Sequence, residues 1–250
     1  MKHLIKATIK IHAAAMLTLL LGAAVQTAGG ANDADYTATD VKNGGTIRGT
    51  ITFSGEVPAI KEIKVNKDKK VCGKHKTDES LIVNSENRGL ENVVVFLKNV
   101  KSGKKWAFDE ASLEMNQKGC MFSPHVLIVP VGQKLNMLND DGILHNIHTR
   151  SQVNPEFNRA QPKFLKKIKF GFDKPEFVKI TCDVHSWMQA WIVVAANPYY
   201  AVTDADGNFE LTNVPPGTYE LEIWQEKLGQ QSQQVGVKAG EVTTANAAFK

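Results

Sequence analysis

The sequence lacks a long hydrophobic run, a helical periodicity and an excess of one charge, and each absence excludes a class of protein. Its apolar stretch at residues 13–25 is too short to span a bilayer comfortably. Residues 1–31 hold three of the 30 basic residues and no acid, so the rest of the chain has 27 basic against 26 acidic residues. Net charge therefore gives no support for nucleic-acid binding.

The N-terminal residues have the pattern of a secretory signal peptide. Three lysines precede the short apolar stretch and small residues follow it, so cleavage is expected after Ala28 or Ala31. No cysteine follows the apolar stretch, which argues against a lipoprotein anchor. We expect residues 1–31 to be a signal peptide and the protein to be periplasmic. The alternative is an uncleaved amphipathic anchor.

The remainder of the chain predicts an all-β fold. Short alternating runs rich in β-branched residues, such as GTIRGTITF, NVVVFLKNV and TYELEIW, are separated by Gly, Pro and Asn-Asp turns. About 220 residues suffice for two small domains. The pattern is that of a β-sandwich protein.

Cysteine is also scarce, with only Cys72, Cys120 and Cys182. An odd number in an oxidising compartment leaves one thiol unpaired, and metal ligation is one reason for a thiol to stay so. Cys182 has a histidine and a methionine at three-residue intervals in CDVHSWM, which makes it the best candidate. Cys72 and Cys120 would then form a disulfide. The alternative is that Cys182 pairs with one of them and its neighbours are incidental.

The stretch ITCDVHSWMQAW combines a thiolate, an imidazole and a thioether, a donor set that suits copper in both its Cu(I) and Cu(II) states. Zinc prefers four cysteine or histidine ligands. A second histidine, His145, ends the polar turn of LNDDGILHNIHTR. Two or three strands fit between His145 and Cys182, so the two loops can meet at one end of a sandwich.

Residues 112–197 resemble a cupredoxin through FSPHVLIVPVGQKLNMLNDDGILHN and FVKITCDVHSWMQAWIVV, and the Cys-x-x-His-x-x-Met loop resembles that of amicyanin. The resemblance implies one copper ion with four ligands: His145, Cys182, His185 and Met188. Met188 would be the weak axial ligand. Asn146 would steady the thiolate and its loop from outside the ligand set.

The other histidines are expected outside this site. His148 lies three residues past His145 and faces away from it on an extended strand, although it would replace His145 if the loop were not extended. We interpret His125 as structural or near the disulfide. A second metal site using these residues or His75 is disfavoured. Trp187 either shields the metal or packs on the end of the sandwich.

The C-terminal segment, with TDADGNFEL and PPGTYELEIW, resembles the non-catalytic carboxypeptidase regulatory-like β-sandwich. Its opening strands are predicted in GGTIRGTITFSGEVP and NVVVFLKNV. We therefore predict a split sandwich, 44–100 with 200–250, and a cupredoxin-like copper domain, 101–199, inserted in it. The alternative is a cupredoxin with long N-terminal strands followed by a simple C-terminal domain. The alternating glutamates of the TYELEIWQE strand are expected on its solvated face.

The predicted function is that of a non-enzymatic, one-electron carrier. His185 would lie nearest the surface as the electron exit, and the partner would be a c-type cytochrome or a periplasmic dehydrogenase. Copper delivery, storage or sensing is the alternative, which the absence of a methionine-rich run weakens. A third possibility is an adhesion or assembly protein whose cupredoxin has lost its metal. Oxidase and nitrite reductase chemistry are disfavoured because such enzymes need a second, histidine-rich copper centre.

Overall fold

The computed structural model describes residues 36–109 and 111–250, and the expected signal peptide at 1–31 lies outside them. None of the described helices is long and apolar enough to cross a membrane. The described chain is built from the following strands: β1 Thr37–Ala38, β2 Gly45–Phe53, β3 Glu62–Lys64, β4 His75–Thr77, β5 Val94–Leu97, β6 Ser102–Gly103, β7 Glu114–Lys118, β8 Met121–Ser123, β9 Val126–Pro130, β10 Lys134–Asn139, β11 His145–Arg150, β12 Asn158–Gln161, β13 Lys167–Gly171, β14 Glu176–Thr181, β15 Gln189–Ala195, β16 Tyr200–Val202, β17 Asn208–Val214, β18 Gly217–Gln225, β19 Gly229–Val237, β20 Val242–Thr244 and β21 Ala247–Phe249. A four-residue helix, α1 (Lys69–Cys72), and a 3-10 turn, Ala111–Leu113, complete it.

Strands β7 to β15 form two sheets around one core. One sheet has the order β13-β10-β7-β8, and the other has the order β12-β11-β14-β15-β9. In β13, Ile168 and Phe170 are buried while the lysines and glycine between and beside them are exposed, as period-two alternation requires. Met137, Ile147 and Ile192 pack in the same core from other strands of the two sheets. We call this part the first sandwich.

The remaining long strands form a second pair of sheets, called the second sandwich. Their orders are β16-β5-β18-β19 and β17-β2-β20, with β21 also paired to β2. The N-terminal strands β2 and β5 thus pair with strands from the C-terminal part of the chain. The predicted all-β sandwich fold is confirmed. The domain boundaries stay a prediction, because Asn32–Lys250 forms one compact unit.

An aromatic cluster joins the two sandwiches. Trp224 of β18 lies between Trp191 of β15 and Phe177 of β14, with ring centroids 4.8 Å apart in both pairs. Phe96 of β5 stacks on Tyr200 of β16 at 4.7 Å. These rings pack against three fully or almost fully buried valines: Val94, Val126 and Val193. The two sandwiches therefore share apolar surface instead of being joined by linkers alone.

This junction buries glutamates that the sequence places on a solvated face. Glu222 of β18 is 3% exposed and contacts Lys98 and Gln230. The Glu226 side chain is 5% exposed and contacts His125 Nε2. The prediction was wrong for these two residues because the first sandwich covers that face of β18. His125 thus lies at the junction, and its interpretation as a structural residue stays a prediction.

Residues 54–93 form the connecting segment between β2 and β5. Val65 and Cys72 of this segment pack in the core of the first sandwich, whereas Leu90 and Val93 pack in the core of the second. Within this segment β3 and β4 pair antiparallel, with Ile63 opposite Lys76 and α1 between them. A disulfide joins Cys72, the last residue of α1, to Cys120 in the turn between β7 and β8. Cys182 is free and buried. The expected pairing of the three cysteines is confirmed.

Candidate metal centre

One end of the five-stranded sheet, where β11 begins and β14 ends, brings together His145, Cys182 and His185. Strands β11 and β14 are antiparallel neighbours, so His145 at the start of β11 lies near Cys182 just past the end of β14. The two Nδ1 atoms are 2.9 Å apart, and Cys182 Sγ lies 3.9 Å from His145 Nδ1 and 3.8 Å from His185 Nδ1. All three side chains are buried. Three of the four donors predicted from the sequence therefore converge in one enclosed cluster.

The far nitrogen of each imidazole is held by a carboxylate. His145 Nε2 lies 2.8 Å from Asp141 Oδ2, and His185 Nε2 lies 2.9 Å from Asp68 Oδ2. Because a carboxylate accepts a hydrogen bond, it keeps the ring proton on Nε2. The Nδ1 lone pairs then face the cluster, which is the orientation that a metal-binding histidine needs.

Both carboxylates are tied to the disulfide. Asp141 also accepts hydrogen bonds from the backbone N–H groups of Gly119 and Cys120, at 2.5 and 2.7 Å. The backbone carbonyl of Asp68 accepts the N–H of Cys72 at 2.9 Å. Each half of the disulfide is thus one hydrogen bond away from the residue that orients one of the two histidines. The bridge fixes the surroundings of the cluster from both sides.

The arrangement favours a thiolate and a positive charge beside it. Burial alone would lower the pKa of His145, but its hydrogen bonds with Asp141 and Cys182 raise that pKa to about 9. Burial would raise the pKa of Cys182, but contact with His145 and with nearby backbone N–H groups lowers it. Burial lowers the pKa of His185. A shared cation, either a proton or a metal ion, would stabilise two nitrogen lone pairs and a thiolate at these distances.

The donor positions fit a metal ion. Nitrogen and sulfur ligands at about 2.0 and 2.3 Å from one ion lie about 3.3–3.8 Å from each other. The two sulfur–nitrogen separations are within about 0.1 Å of this range, and the nitrogen–nitrogen distance must open by about 0.4 Å. One thiolate and two imidazoles form the equatorial set that copper takes in electron-transfer sites.

Met188 is fully buried, and its backbone closes the loop of residues 182–188, called the ligand loop. Its N–H donates to the His185 carbonyl at 2.9 Å, and its carbonyl accepts the Cys182 N–H at 3.2 Å. These two bonds hold Cys182, His185 and Met188 in one tight turn before β15. The turn explains why the three residues are evenly spaced. An axial role for the Met188 sulfur stays a prediction.

Asn146 lies directly against the thiol. Its backbone N–H points at Cys182 Sγ, with 3.4 Å between nitrogen and sulfur. Its side-chain amide donates to Asn158 Oδ1 at 2.7 Å and accepts the backbone N–H of Asp183. Asn146 therefore connects β11 to the first residue after Cys182. This is the position from which it can steady the thiolate and the loop.

His185 has no exposed surface, because the connecting segment places Asp68 over the edge of its ring. Its expected role as the electron exit stays a prediction. Trp187 is also buried, with its ring 5.0 Å from that of His185 and its Nε1 donating to the Cys120 carbonyl at 3.0 Å. Trp187 therefore connects His185 to the disulfide residue Cys120.

His148 stays outside the cluster, as expected from its position on an extended strand. Its Nδ1 and Nε2 contact Asp183 and Glu156 at 2.9 and 2.8 Å. Neither Asp141 nor Asp68 was predicted from the sequence. Asp141 lies only four residues before His145, so their proximity was a usable local signal, whereas no local signal connects Asp68 to His185.

Comparisons with known proteins gave one family match over part of the chain and a set of similar solved structures. Residues 189–250 match the sequence profile of the carboxypeptidase regulatory-like domain. The comparison with curated protein sequences gave no match. The family match corresponds to the resemblance noted in the C-terminal segment, and the similar solved structures include cupredoxins, the other resemblance noted in the sequence.

Three solved structures illustrate the extent of the likeness. A mutant of amicyanin in the Cu(I) state is 18% identical, with a TM-score of 0.31, over 36% of this chain and 86% of that one. A purple cupredoxin from Nitrosopumilus maritimus is 22% identical, with a TM-score of 0.28, over 33% and 98%. A copper-containing nitrite reductase from Thermus scotoductus is 20% identical, with a TM-score of 0.32, over 40% and 25%. The chain thus spans only a quarter of the reductase.

Proposed function

We propose that the protein is a periplasmic type 1 copper protein that carries single electrons. The observation that supports this most is the convergence of two imidazole Nδ1 atoms and one thiol in a buried cluster. Copper would supply the one-electron couple between Cu(I) and Cu(II). His145, Cys182 and His185 would hold one ion, with Met188 as the axial ligand.

The chain's own contribution is to keep the geometry constant between the two redox states. Cys182 and His145 are each at the end of a strand in one sheet, and the carboxylates Asp141 and Asp68 prevent the imidazoles from rotating. Burial keeps bulk water from the cluster. These features favour electron transfer without a change of ligands. We propose a c-type cytochrome or a periplasmic dehydrogenase as the partner, and no catalytic activity of the protein's own.

The visible spectrum of the copper-loaded protein tests this proposal. We expect an intense blue or green colour with Cu(II) and a reversible redox wave. Cys182→Ser should abolish the colour, Met188→Leu should keep copper and raise the potential, and the matched control His148→Gln should change neither. Colour that persists in Cys182→Ser contradicts the proposal. Tight Cu(I) binding with ready transfer to a chelator, and no reversible wave, indicates copper delivery instead.

We also propose that the first sandwich, within 101–199, is inserted into the regulatory-like sandwich formed by 44–100 and 200–250. Phe96 of β5 pairs directly with Tyr200 of β16, so the two ends of the insertion lie side by side. Replacing 105–196 by a short Gly-Ser linker, which keeps Tyr199 in the core of the second sandwich, should therefore leave a folded β-protein. Loss of cooperative unfolding in that deletion variant contradicts the proposed boundary.

A further inference from the structure

The part of the connecting segment that covers His185 is strongly basic. Residues 61–76, called the lysine-rich segment, hold seven lysines against one glutamate and one aspartate. Basic and acidic residues are nearly balanced in the chain after residue 31. The positive charge is therefore concentrated over the histidine that a cupredoxin-type site would use as its electron exit.

The charge of this segment faces outward. Its only aspartate, Asp68, directs its carboxylate at His185 Nε2, whereas the flanking Lys67 and Lys69 are exposed. Among the described residues, neither of these lysines nor Lys70 forms an ion pair. Val71, which follows Lys70 in α1, is 43% exposed. The outer surface of α1 thus offers an apolar side chain next to lysines, as in many transient interfaces with an apolar centre and a polar rim.

The segment is held firmly in place. The Cys72–Cys120 disulfide anchors α1, and the N–H of Val65 donates to the Lys74 carbonyl at 2.9 Å across the β3–β4 pair. Asp68 adds its hydrogen bond to His185 at 2.9 Å. A surface that is fixed before binding loses little conformational entropy when a partner docks.

The lysine-rich segment and the ligand loop share one surface. A groove of about 420 Å³ is lined by Lys61 and Lys64 of the segment and by Ser186, Trp187 and Gln189. A partner that fills this groove therefore contacts both the segment and the loop that carries His185.

We propose that the lysine-rich segment is the docking surface for an acidic redox protein, which exchanges one electron with the copper through the covered edge of His185. This inference rests on the proposed function. In the oxidative direction Cu(I) becomes Cu(II), the partner's acceptor gains that electron, and no proton moves. Opposite charge steers such partners together and raises the association rate. An anionic membrane is the less favoured occupant, because α1 is a single turn and presents no amphipathic helix.

Two double variants test the inference in the copper-loaded protein. Lys69→Gln with Lys70→Gln removes two charges from the segment. The control, Lys134→Gln with Lys174→Gln, also removes two exposed charges. These lysines lie near the start of β10 and the end of β13, at the end of β10 away from Asp141. Oxidation of the Cu(I) protein is followed by stopped flow at low salt with anionic ferricyanide and with cationic tris(phenanthroline)cobalt(III).

We expect the ferricyanide rate constant to fall about threefold or more in the first variant and to stay within error in the control. The cobalt reagent should not slow in either variant. A decaglutamate peptide should shift the amide resonances of 61–76 in the wild type and bind more weakly to the first variant. Equal ferricyanide rates in the two variants overturn the inference.

Vesicles of phosphatidylglycerol separate the remaining outcomes. Binding to these vesicles that the first variant loses, without binding of decaglutamate, overturns the inference in favour of a membrane. Peptide binding does not require copper, so the two proposals fail separately. A coloured, redox-active wild type with equal rates in both variants removes only the docking surface. A protein without a redox wave removes the proposed function and the redox role of the segment with it.

Discussion

Two aspartates decide how the imidazoles of the candidate metal centre are presented. Asp141 and Asp68 each accept a hydrogen bond from the far nitrogen of a histidine, and each lies beside one half of the disulfide. Asp141 comes from the turn between β10 and β11, and Asp68 comes from the connecting segment, far away in the sequence. The site thus consists of three metal-donor side chains and two carboxylates that hold the imidazole rings in place.

Replacing Asp68 by asparagine should raise the reduction potential of the copper-loaded protein. The asparagine oxygen can still accept the hydrogen bond from His185, but the negative charge that stabilises Cu(II) is lost. Voltammetry measures the shift. The control is Glu62→Gln, which removes an exposed charge from the same segment. An equal effect of the two substitutions would show that the contact with His185 has no influence on the metal.

The sequence predicted the donors of the cluster better than their supports. Cys182, His185 and Met188 follow one another in a single loop, so their spacing carries the information. His145 was found because a strand-end histidine was needed nearby. Asp68 lies 117 residues from His185 in the chain. Only the folding of the connecting segment onto the first sandwich brings these two residues together, and no local pattern encodes that contact.

Among the elements, the connecting segment departs most from the sequence-based expectation. Its β3–β4 ribbon and α1 cover His185 and place a lysine-rich surface over it. The disulfide is its covalent anchor to the turn between β7 and β8. The stability and accessibility of the site should therefore depend on this bridge.

The double variant Cys72→Ser, Cys120→Ser should be less stable than the wild type and should expose His185. The bridge closes a loop with a sequence separation of 48 residues, for which the chain-entropy account gives about 4 kcal/mol. Urea unfolding measures the stability, and hydrogen exchange of residues 61–76 measures the opening. Cys182→Ser, which keeps the bridge, is the control. Unchanged protection of the segment would show that its noncovalent contacts suffice.

The strand β18 shows the limit of pattern-based prediction at this scale. Alternation correctly assigns Leu221 and Ile223 to the core of the second sandwich. It assigns the opposite face to solvent, yet Glu222 is buried there. A period of two tells which residues share a face, but not whether another part of the chain covers that face.

In the whole molecule, His125 connects the two sandwiches. It precedes β9, it is buried, and its Nε2 contacts Glu226 just past β18, while Glu79 lies 3.6 Å from its Nδ1. Burial alone would lower the pKa of His125, but the two glutamates raise it to about 9. The folded state thus holds a proton here more tightly than the unfolded chain does.

This proton makes stability depend on pH in a defined direction. A folded pKa above the unfolded value of about 6.5 gives a stabilisation that is complete below pH 6.5 and is lost as the pH rises through about 9. The difference corresponds to about 3 kcal/mol at most. Urea unfolding of the metal-free protein between pH 6 and about 9.5 measures it. His125→Gln should remove this part of the pH dependence, and the exposed His75→Gln should not. Parallel profiles for His125→Gln and the wild type would contradict the assignment.

The pair Trp191 and Trp224 gives the molecule an internal optical reporter. The two indoles belong to different sandwiches, their centroids are 4.8 Å apart and their planes are inclined by 71°. Chromophores this close and oblique couple their transitions, so the circular dichroism spectrum should contain an exciton couplet. Trp224→Phe should remove it. Because the couplet depends on the junction alone, its loss during heating would reveal separation of the sandwiches before either one melts.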